Sequence, residues 1–170
     1  MKGIESNPET FESLINSMRV KLYKTAMAIL KNDDDACDAI QETLMSAYKN
    51  FNSLNNKDYF GTWITRILIN KCYDIIKQNK KISSINQMME KDENASYYDV
   101  YKEESLVENV LSKIDPDLKV VTVLYYYDEF SVNEIAEMLN IPEGTVKSRL
   151  ARSRDKLYDI LKKEEGESIG

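Results

Sequence analysis

The sequence predicts an all-α protein with two small helical domains joined by a flexible linker. Apolar residues recur three and four positions apart in several long blocks, which is the pattern of helices that bury one face. The 170 residues include only 5 Gly and 3 Pro, too few for the many tight turns of a sheet protein. One acidic stretch between the blocks lacks this periodicity and indicates a linker.

The N-terminal domain, residues 1–81, is expected to be a bundle of three to four helices. Asn7 before Pro8 is typical of a helix start. The first helix carries apolar residues at core spacing: Phe11, Leu14, Ile15, Met18, Leu22, Ala26, Ile29 and Leu30. Asp33 or Asp34 can cap a second helix that extends through Tyr48.

A third helix is predicted from about Tyr59 to Lys80, after a loop that contains Ser53 and several Asn residues. The linker follows as residues 82–103. Six acidic residues lie between Ile82 and Ser105 against two lysines, a composition that does not favour a buried core. The C-terminal domain, residues 104–165, is expected to hold four helices, with a break at Asp115 and Pro116.

The stretch 130–157 predicts a helix-turn-helix motif. Ser131 and Glu134 have the spacing of a capping box, so the first helix is expected to start at Val132. Asn140 then turns the chain, and Pro142 offers a fixed φ that suits the start of a second helix. Apolar residues of the second helix fall on one stripe at helical spacing: Val146, Leu150, Leu157 and Leu161.

The opposite face of this second helix is basic. Between Thr145 and Leu157 there are five basic residues and one acidic residue, whereas the whole chain carries a net charge of -6. A local basic face can bind a polyanion despite an acidic total, because exposed charges beyond about 10 Å are screened by salt. The motif and its charge together indicate a helix that enters the major groove of duplex DNA.

Composition argues against an enzyme and against a metal or other cofactor. The chain contains no His, so Ser-His, Cys-His and His-metal chemistry are excluded, and it shows no Gly-rich phosphate loop. Cys37 and Cys72 lack the spacing of a metal site and are expected to be buried, reduced thiols. A run of about 18 apolar residues and a leader pattern are both absent, so we expect a cytoplasmic protein.

The order of these blocks resembles the extracytoplasmic-function (ECF) sigma factors of the bacterial sigma-70 family. The resemblance covers nearly the whole chain and is strongest in DACDAIQETLMSAYKNF, FGTWITRILINKCYDIIK and SVNEIAEMLNIPEGTVKSRLARSRDKL. It implies that the N-terminal domain binds core RNA polymerase and opens the minus-10 promoter element. The C-terminal domain is then expected to read the minus-35 element with its helix-turn-helix.

The resemblance also assigns individual residues. Asp38, Gln41 and Glu42 match an acidic patch that docks on the polymerase clamp, and their spacing places them on one helix face. Cys37 departs from the family pattern, which usually has a carboxylate there. The minus-10 element is assigned to Lys57, Tyr59, Arg66, Asn70, Tyr73 and Lys77. Basic, amide and aromatic side chains in one stripe suit an unpaired DNA strand. The basic side chains can contact phosphates, the amide can hydrogen-bond a nucleobase edge, and the aromatic ring can stack on a nucleobase.

The minus-35 element is assigned to Thr145, Lys147, Ser148, Arg149 and Arg152. We expect Arg152 with Ser148 to lie deepest in the groove, while Lys147 and Arg149 set the register on the phosphates. Trp63 is expected to be a core residue.

The resemblance further implies an alternative sigma factor that responds to envelope or extracellular stress. Its expected partners are core RNA polymerase, promoter DNA and an anti-sigma factor anchored in the membrane, and no stable homo-oligomer is expected. The apolar segment 120–127 could contact the anti-sigma factor, but packing inside the domain is the better explanation. A conventional helix-turn-helix regulator, with a helical sensing or dimerisation domain, is the alternative, although the acidic patch has no use in it.

Overall fold

The computed structural model describes residues 8–88 and 106–167. Three α-helices form the N-terminal unit: α1 (Pro8–Leu30), α2 (Asp33–Asn50) and α3 (Phe60–Met88). Two short 3-10 helices, Phe51–Ser53 and Lys57–Tyr59, connect α2 to α3. The predicted cap Asn7 and residues 89–103 of the predicted linker lie outside the described residues.

Four α-helices form the C-terminal unit: α4 (Leu106–Ser112), α5 (Pro116–Thr122), α6 (Val132–Leu139) and α7 (Glu143–Glu167). A π-helical turn, Val123–Tyr127, continues directly from α5. Pro116 occupies the first turn of α5, where its missing N–H costs no helical hydrogen bond. No strand occurs in the two described ranges, and the predicted all-α fold with two helical units is confirmed.

The core of the N-terminal unit lies between the facing sides of its three helices. Leu22 and Ala26 of α1 pack with Ile64 and Leu68 of α3, and all four side chains are buried. The predicted apolar stripe of α1 therefore faces the core. Phe11 adds an edge-to-face contact with Phe51 at a centroid distance of 5.0 Å, a favoured geometry for aromatic rings.

Two helix ends differ from the sequence prediction. The cap of α2 is Asn32 rather than Asp33 or Asp34, because the Asn32 side chain accepts a hydrogen bond of 2.9 Å from the Asp35 N–H. The acidic residues instead occupy the first turn, where their negative charges interact favourably with the positive end of the helix dipole. Helix α3 continues to Met88 although residues 77–88 are exposed, so it includes the start of the predicted linker. No Gly or Pro interrupts this segment, and local propensity is enough to extend it.

The turn of the helix-turn-helix forms as the sequence predicts. Ser131 and Glu134 make both bonds of the capping box at the start of α6. Asn140 adopts the left-handed conformation with φ 53°, and the Ile141 N–H donates to the Ala136 carbonyl at 3.1 Å. This Schellman arrangement ends α6 and directs α7 across it.

Because Asn140 lies in the left-handed region, Asn140→Val should destabilise the protein. A β-branched side chain in that conformation costs about 1–2 kcal/mol, whereas Asn140→Gly should change stability by only a few tenths of a kcal/mol. Chemical denaturation of the three proteins measures the difference. Equal stability of the Val and Gly variants would contradict this account of the turn.

The two units pack against each other. Helix α1 contacts the π-helical turn and α5, and α3 contacts α6. Within this interface, the Thr25 hydroxyl of α1 lies 2.9 and 3.0 Å from the two carboxylate oxygens of Asp128. The Lys21 Nζ also donates to the Asp128 carbonyl at 3.0 Å. Thr25 and Asp128 are both buried, so each depends on the other for its hydrogen bond.

The buried Asp128 predicts a specific pH dependence. Burial raises its pKa from 3.8 to about 6, although the Thr25 hydrogen bond and the charge of Lys21 act in the opposite direction. Between about pH 4 and pH 6 the folded state therefore holds a proton that the unfolded state has released. The stabilisation of the folded state by this bound proton is complete below about pH 4 and is lost as the pH rises through about 6.

We expect wild type to lose about 3 kcal/mol relative to Asp128→Asn across that pH range, since one pKa unit corresponds to about 1.4 kcal/mol. The Asn variant is the reference because it keeps a polar partner for Thr25 without titrating. Denaturation of both proteins at a series of pH values gives the difference. A difference that does not change with pH would show that Asp128 does not hold its proton in the folded state.

Candidate nucleic-acid interface

The acidic stripe, which we define as Asp38, Gln41 and Glu42, lies on the exposed face of α2. The opposite face is buried through Ala36, Ala39, Thr43 and Ala47, which fixes the rotation of the helix. Glu42 forms an ion pair of 3.3 Å with Lys71 of α3, but the Glu42 side chain remains 62% exposed. An exposed pair of this kind contributes little stability, so the stripe can accept a basic partner at small cost.

The 3-10 helix before α3 presents two of the predicted minus-10 residues. The Asn56 side chain accepts a hydrogen bond of 2.9 Å from the Asp58 N–H and so holds the turn. Lys57 is exposed, and Tyr59 is 63% exposed although it is aromatic. An exposed cation beside an exposed ring is an arrangement that suits a phosphate and a base face.

The α3 stripe, which we define as Arg66, Asn70, Tyr73 and Lys77, is only partly open. Arg66, Asn70 and Lys77 are exposed. Tyr73, by contrast, is half-buried against the C-terminal unit, and its hydroxyl donates to Asp117 Oδ1 at 3.3 Å. Burial and then the nearby Asp117 raise the pKa of Tyr73. The Tyr73 hydroxyl is therefore engaged by Asp117 of α5, whereas the other three side chains of the stripe are open to solvent.

Trp63 is half-buried at the edge of the core rather than fully inside it. Its ring centroid lies 5.8 Å from that of Phe60.

Cys72 of the same helix is fully buried, and burial raises the pKa of its thiol to about 12. Cys37 is exposed beside the acidic stripe, so only Cys72 is the buried thiol that the sequence suggested.

The basic face of α7, which we define as Thr145, Lys147, Ser148, Arg149 and Arg152, has two parts. Lys147, Ser148 and Arg152 are exposed, whereas Thr145 and Arg149 are half-buried. Arg152 makes one long hydrogen bond of 3.5 Å to the Ser148 carbonyl, and Lys147 pairs with Glu143 at 3.7 Å. Because these local contacts are weak, the side chains of Lys147, Ser148 and Arg152 remain available to DNA.

Arg149 is held by a residue that the sequence did not single out. Its Nη2 lies 3.3 Å from Asp117 Oδ2, and only 20% of its side chain is exposed. Arg154 lies beyond the face and donates to the Tyr126 hydroxyl at 3.4 Å. Ser153 is fully buried and shares a hydrogen bond with Thr122 of α5. Helical spacing alone could not reveal these partners, because they come from a different helix.

An apolar groove of about 780 Å³ lies between α1 and the C-terminal unit. The apolar segment before it is buried, as expected if it packs inside the domain: Val120, Val121, Val123 and Leu124. The tyrosines that follow are exposed: Tyr125, Tyr126 and Tyr127. Two of them line the groove together with Leu106 and Val107, which are 60% and 65% exposed.

Within residues 8–88 and 106–167, no helix combines the length and the apolar character that crossing a membrane requires. The same ranges contain no cluster of three or more acidic or Cys side chains arranged to hold a metal ion.

Two family models match the chain in the predicted order. Residues 14–82 match the model described as Sigma-70 region 2, and residues 105–157 match the model described as Sigma-70, region 4. ECF RNA polymerase sigma factor SigW of Bacillus subtilis is 31% identical over 172 residues, which cover 93% of this chain and 92% of SigW. RNA polymerase sigma factor SigV of the same organism is 26% identical over 97% of this chain and 99% of SigV.

Two solved structures share the fold. The sigma factor RpoE of Bartonella quintana, solved in complex with the anti-sigma factor NepR, superimposes with a TM-score of 0.75 at 23% identity. That match covers 91% of this chain and 98% of RpoE. CnrH, solved in complex with the cytosolic domain of CnrY, gives a TM-score of 0.69 at 22% identity and covers 92% of this chain and 90% of CnrH.

Proposed function

Since this chain belongs to the extracytoplasmic-function sigma factors of the sigma-70 family, we propose that its acidic stripe binds core RNA polymerase while its two helical units read a promoter. The family consists of transcription initiation factors, so the chain is an alternative sigma factor and not an enzyme. The observation that carries the proposal is the presence of both sigma regions, in order, on one chain.

The proposed division has a polymerase-binding and minus-10 domain at 1–81, a linker at 82–103 and a minus-35 domain at 104–165. The two family matches, 14–82 and 105–157, support this division. A conventional helix-turn-helix regulator would need a sensing or dimerisation domain in the first part of the chain. The region 2 match occupies that part, so this alternative is set aside.

For the minus-10 element we propose Lys57 and Tyr59 of the 3-10 helix, with Arg66, Asn70, Tyr73 and Lys77 of α3. The exposure of Tyr59 supports a role for its ring in stacking on an unpaired base. Flipping a base out of a duplex costs a few kcal/mol, which stacking and phosphate contacts must offset.

For the minus-35 element we propose Thr145, Lys147, Ser148, Arg149 and Arg152 of α7. Arg152 and Ser148 are exposed in the first half of α7 and suit base edges in the major groove. Lys147 and Arg149 flank them and suit the phosphates, which fix the register of the helix without reading sequence.

We further propose that an anti-sigma factor holds the protein inactive in the cytoplasm until an envelope or extracellular signal arrives. RpoE was solved in complex with an anti-sigma factor and CnrH in complex with the cytosolic domain of CnrY, which supports this assignment. The apolar groove beside Tyr126 and Tyr127 suits an amphipathic helix of such a partner, because its lining is both apolar and exposed. No stable homo-oligomer is needed for this function.

Gel filtration with bacterial core polymerase that lacks its own sigma factor tests the proposal. The chain should co-elute with core polymerase as a single copy. Failure to co-elute, together with binding of the free chain to a palindromic duplex as a dimer, would contradict it.

A further inference from the structure

The last three turns of α3, residues 77–88, are basic and expose every side chain. They contain three lysines and no acidic residue: Lys77, Lys80 and Lys81. Within residues 8–88 and 106–167, none of these lysines forms an ion pair. Lys80 lies near Asp115, but that carboxylate pairs with Lys156 instead. Neither burial nor ion pairing inside the described parts of the protein therefore uses these three positive charges.

The lysines continue the face of α3 that carries the α3 stripe. At about 100° per residue, Lys77 lies only about 20° from Arg66 around the helix axis. Lys80 falls about 40° to one side of Arg66 and Lys81 about 60° to the other side, whereas the apolar Ile82 lies about 160° away. Because an α-helix is rigid over this length, DNA that meets Arg66 and Lys77 on this face also comes close to the two later lysines.

The direction of the chain indicates which part of a promoter these lysines reach. Helix α3 leads through residues 89–105 to the C-terminal unit, which we assign to the minus-35 element, upstream of the minus-10 element. The end of α3 therefore points upstream. From Asn70 to Lys81 the helix advances about 16 Å at 1.5 Å per residue, which is the length of about five base pairs of duplex. The duplex between the two elements, the spacer, is thus within reach.

We propose that Lys80 and Lys81 bind phosphates of the duplex spacer directly upstream of the minus-10 element. This inference rests on the proposed function, because it takes the α3 stripe to be the minus-10 contact. Phosphate contacts carry no sequence information, so the two lysines position the N-terminal unit and add affinity whatever the spacer sequence. Lysine suits this role, since its ammonium group is a point charge on a flexible stem and needs no fixed geometry.

Binding of the polymerase holoenzyme to two forms of one promoter tests the inference. The promoter is one recovered by mapping transcripts that depend on this chain. The long form carries the minus-10 element and ten base pairs of spacer without a minus-35 element, and the short form begins at the minus-10 element. The test variant is Lys80→Ala with Lys81→Ala, in which Ala preserves the helix. The control, Lys162→Ala with Lys163→Ala, removes the same charge from an exposed part of α7.

Wild type and the control should bind the long form more tightly than the short form, and the test variant should lose most of that difference. On the long form, the advantage of wild type over the test variant should shrink about tenfold between about 50 and about 200 mM salt. Two phosphate contacts predict this change, because together they add about 1.8 to the slope of log affinity against log salt concentration. A second spacer of unrelated sequence should give the same result.

Equal losses of affinity on the two promoter forms would overturn the inference, as would an advantage of wild type that is confined to one spacer sequence. The inference also fails if the test variant binds both forms as wild type does but loses binding to vesicles of anionic phospholipid, because the segment would then contact a membrane surface. If holoenzyme with the wild-type chain binds neither form, the proposed function fails instead.

Discussion

Simultaneous replacement of Asp38, Gln41 and Glu42 by Ala is expected to weaken binding to core RNA polymerase on the order of 100-fold. The three side chains are exposed on one face of α2 and bury nothing in the free protein. Ala favours helices, so the variant should keep its fold and its circular dichroism. The loss should therefore appear in the affinity for polymerase and not in stability.

A matched control replaces Glu12, Gln87 and Asp159 by Ala, which removes two carboxylates and one amide from exposed positions elsewhere. Titration of core polymerase with fluorescently labelled protein gives both affinities. The control should bind as wild type does. If both variants lose affinity to the same extent, total charge rather than the acidic stripe determines binding.

The second large effect is expected from Arg152→Ala. In the free protein the Arg152 side chain makes one 3.5 Å hydrogen bond to the Ser148 carbonyl, so little is lost when it turns toward DNA. If it reads a base edge, its removal should cost about 1–3 kcal/mol on the preferred minus-35 sequence and relax selectivity at one position. Lys147→Ala should instead weaken binding by the same factor on all sequences. It should also reduce the slope of log affinity against log salt concentration by about one, the value expected for one phosphate contact.

Competition binding by the polymerase holoenzyme, with a set of duplexes that vary the minus-35 element, separates these outcomes. Arg154→Ala serves as the control, because that side chain lies on the same helix but faces Tyr126. A uniform loss on all sequences for Arg152→Ala would show that Arg152 is a phosphate contact rather than a reader of bases.

Local sequence signals predicted the helix-turn-helix well. The capping box of Ser131 and Glu134 and the turn at Asn140 depend on residues within one helical turn of each other, so they can be read along the chain. The end of α3 was less predictable. Its last residues are exposed, including the apolar Ile82, Ile85 and Met88, so burial does not support the helix there and local propensity must.

The contacts between the two units could not be predicted from the sequence. Tyr73 and Asp117 are 44 residues apart, and Thr25 and Asp128 are 103 residues apart. Helical periodicity correctly places Tyr73 and Arg149 on polar faces, but it carries no information about a carboxylate brought in from another helix. Asp117 and Asp128 cannot be distinguished from other acidic residues in the sequence, because their partners lie on distant helices.

Transcription by core polymerase that lacks a sigma factor tests the central claim most directly. The template is a library of genomic fragments, and the 5′ ends of the transcripts are mapped with and without the purified chain. The account predicts new transcripts whose upstream sequences share two short elements near positions -10 and -35, and their loss with the α2 triple variant. Transcription that does not depend on the chain, or starts without a shared pair of elements, would contradict it.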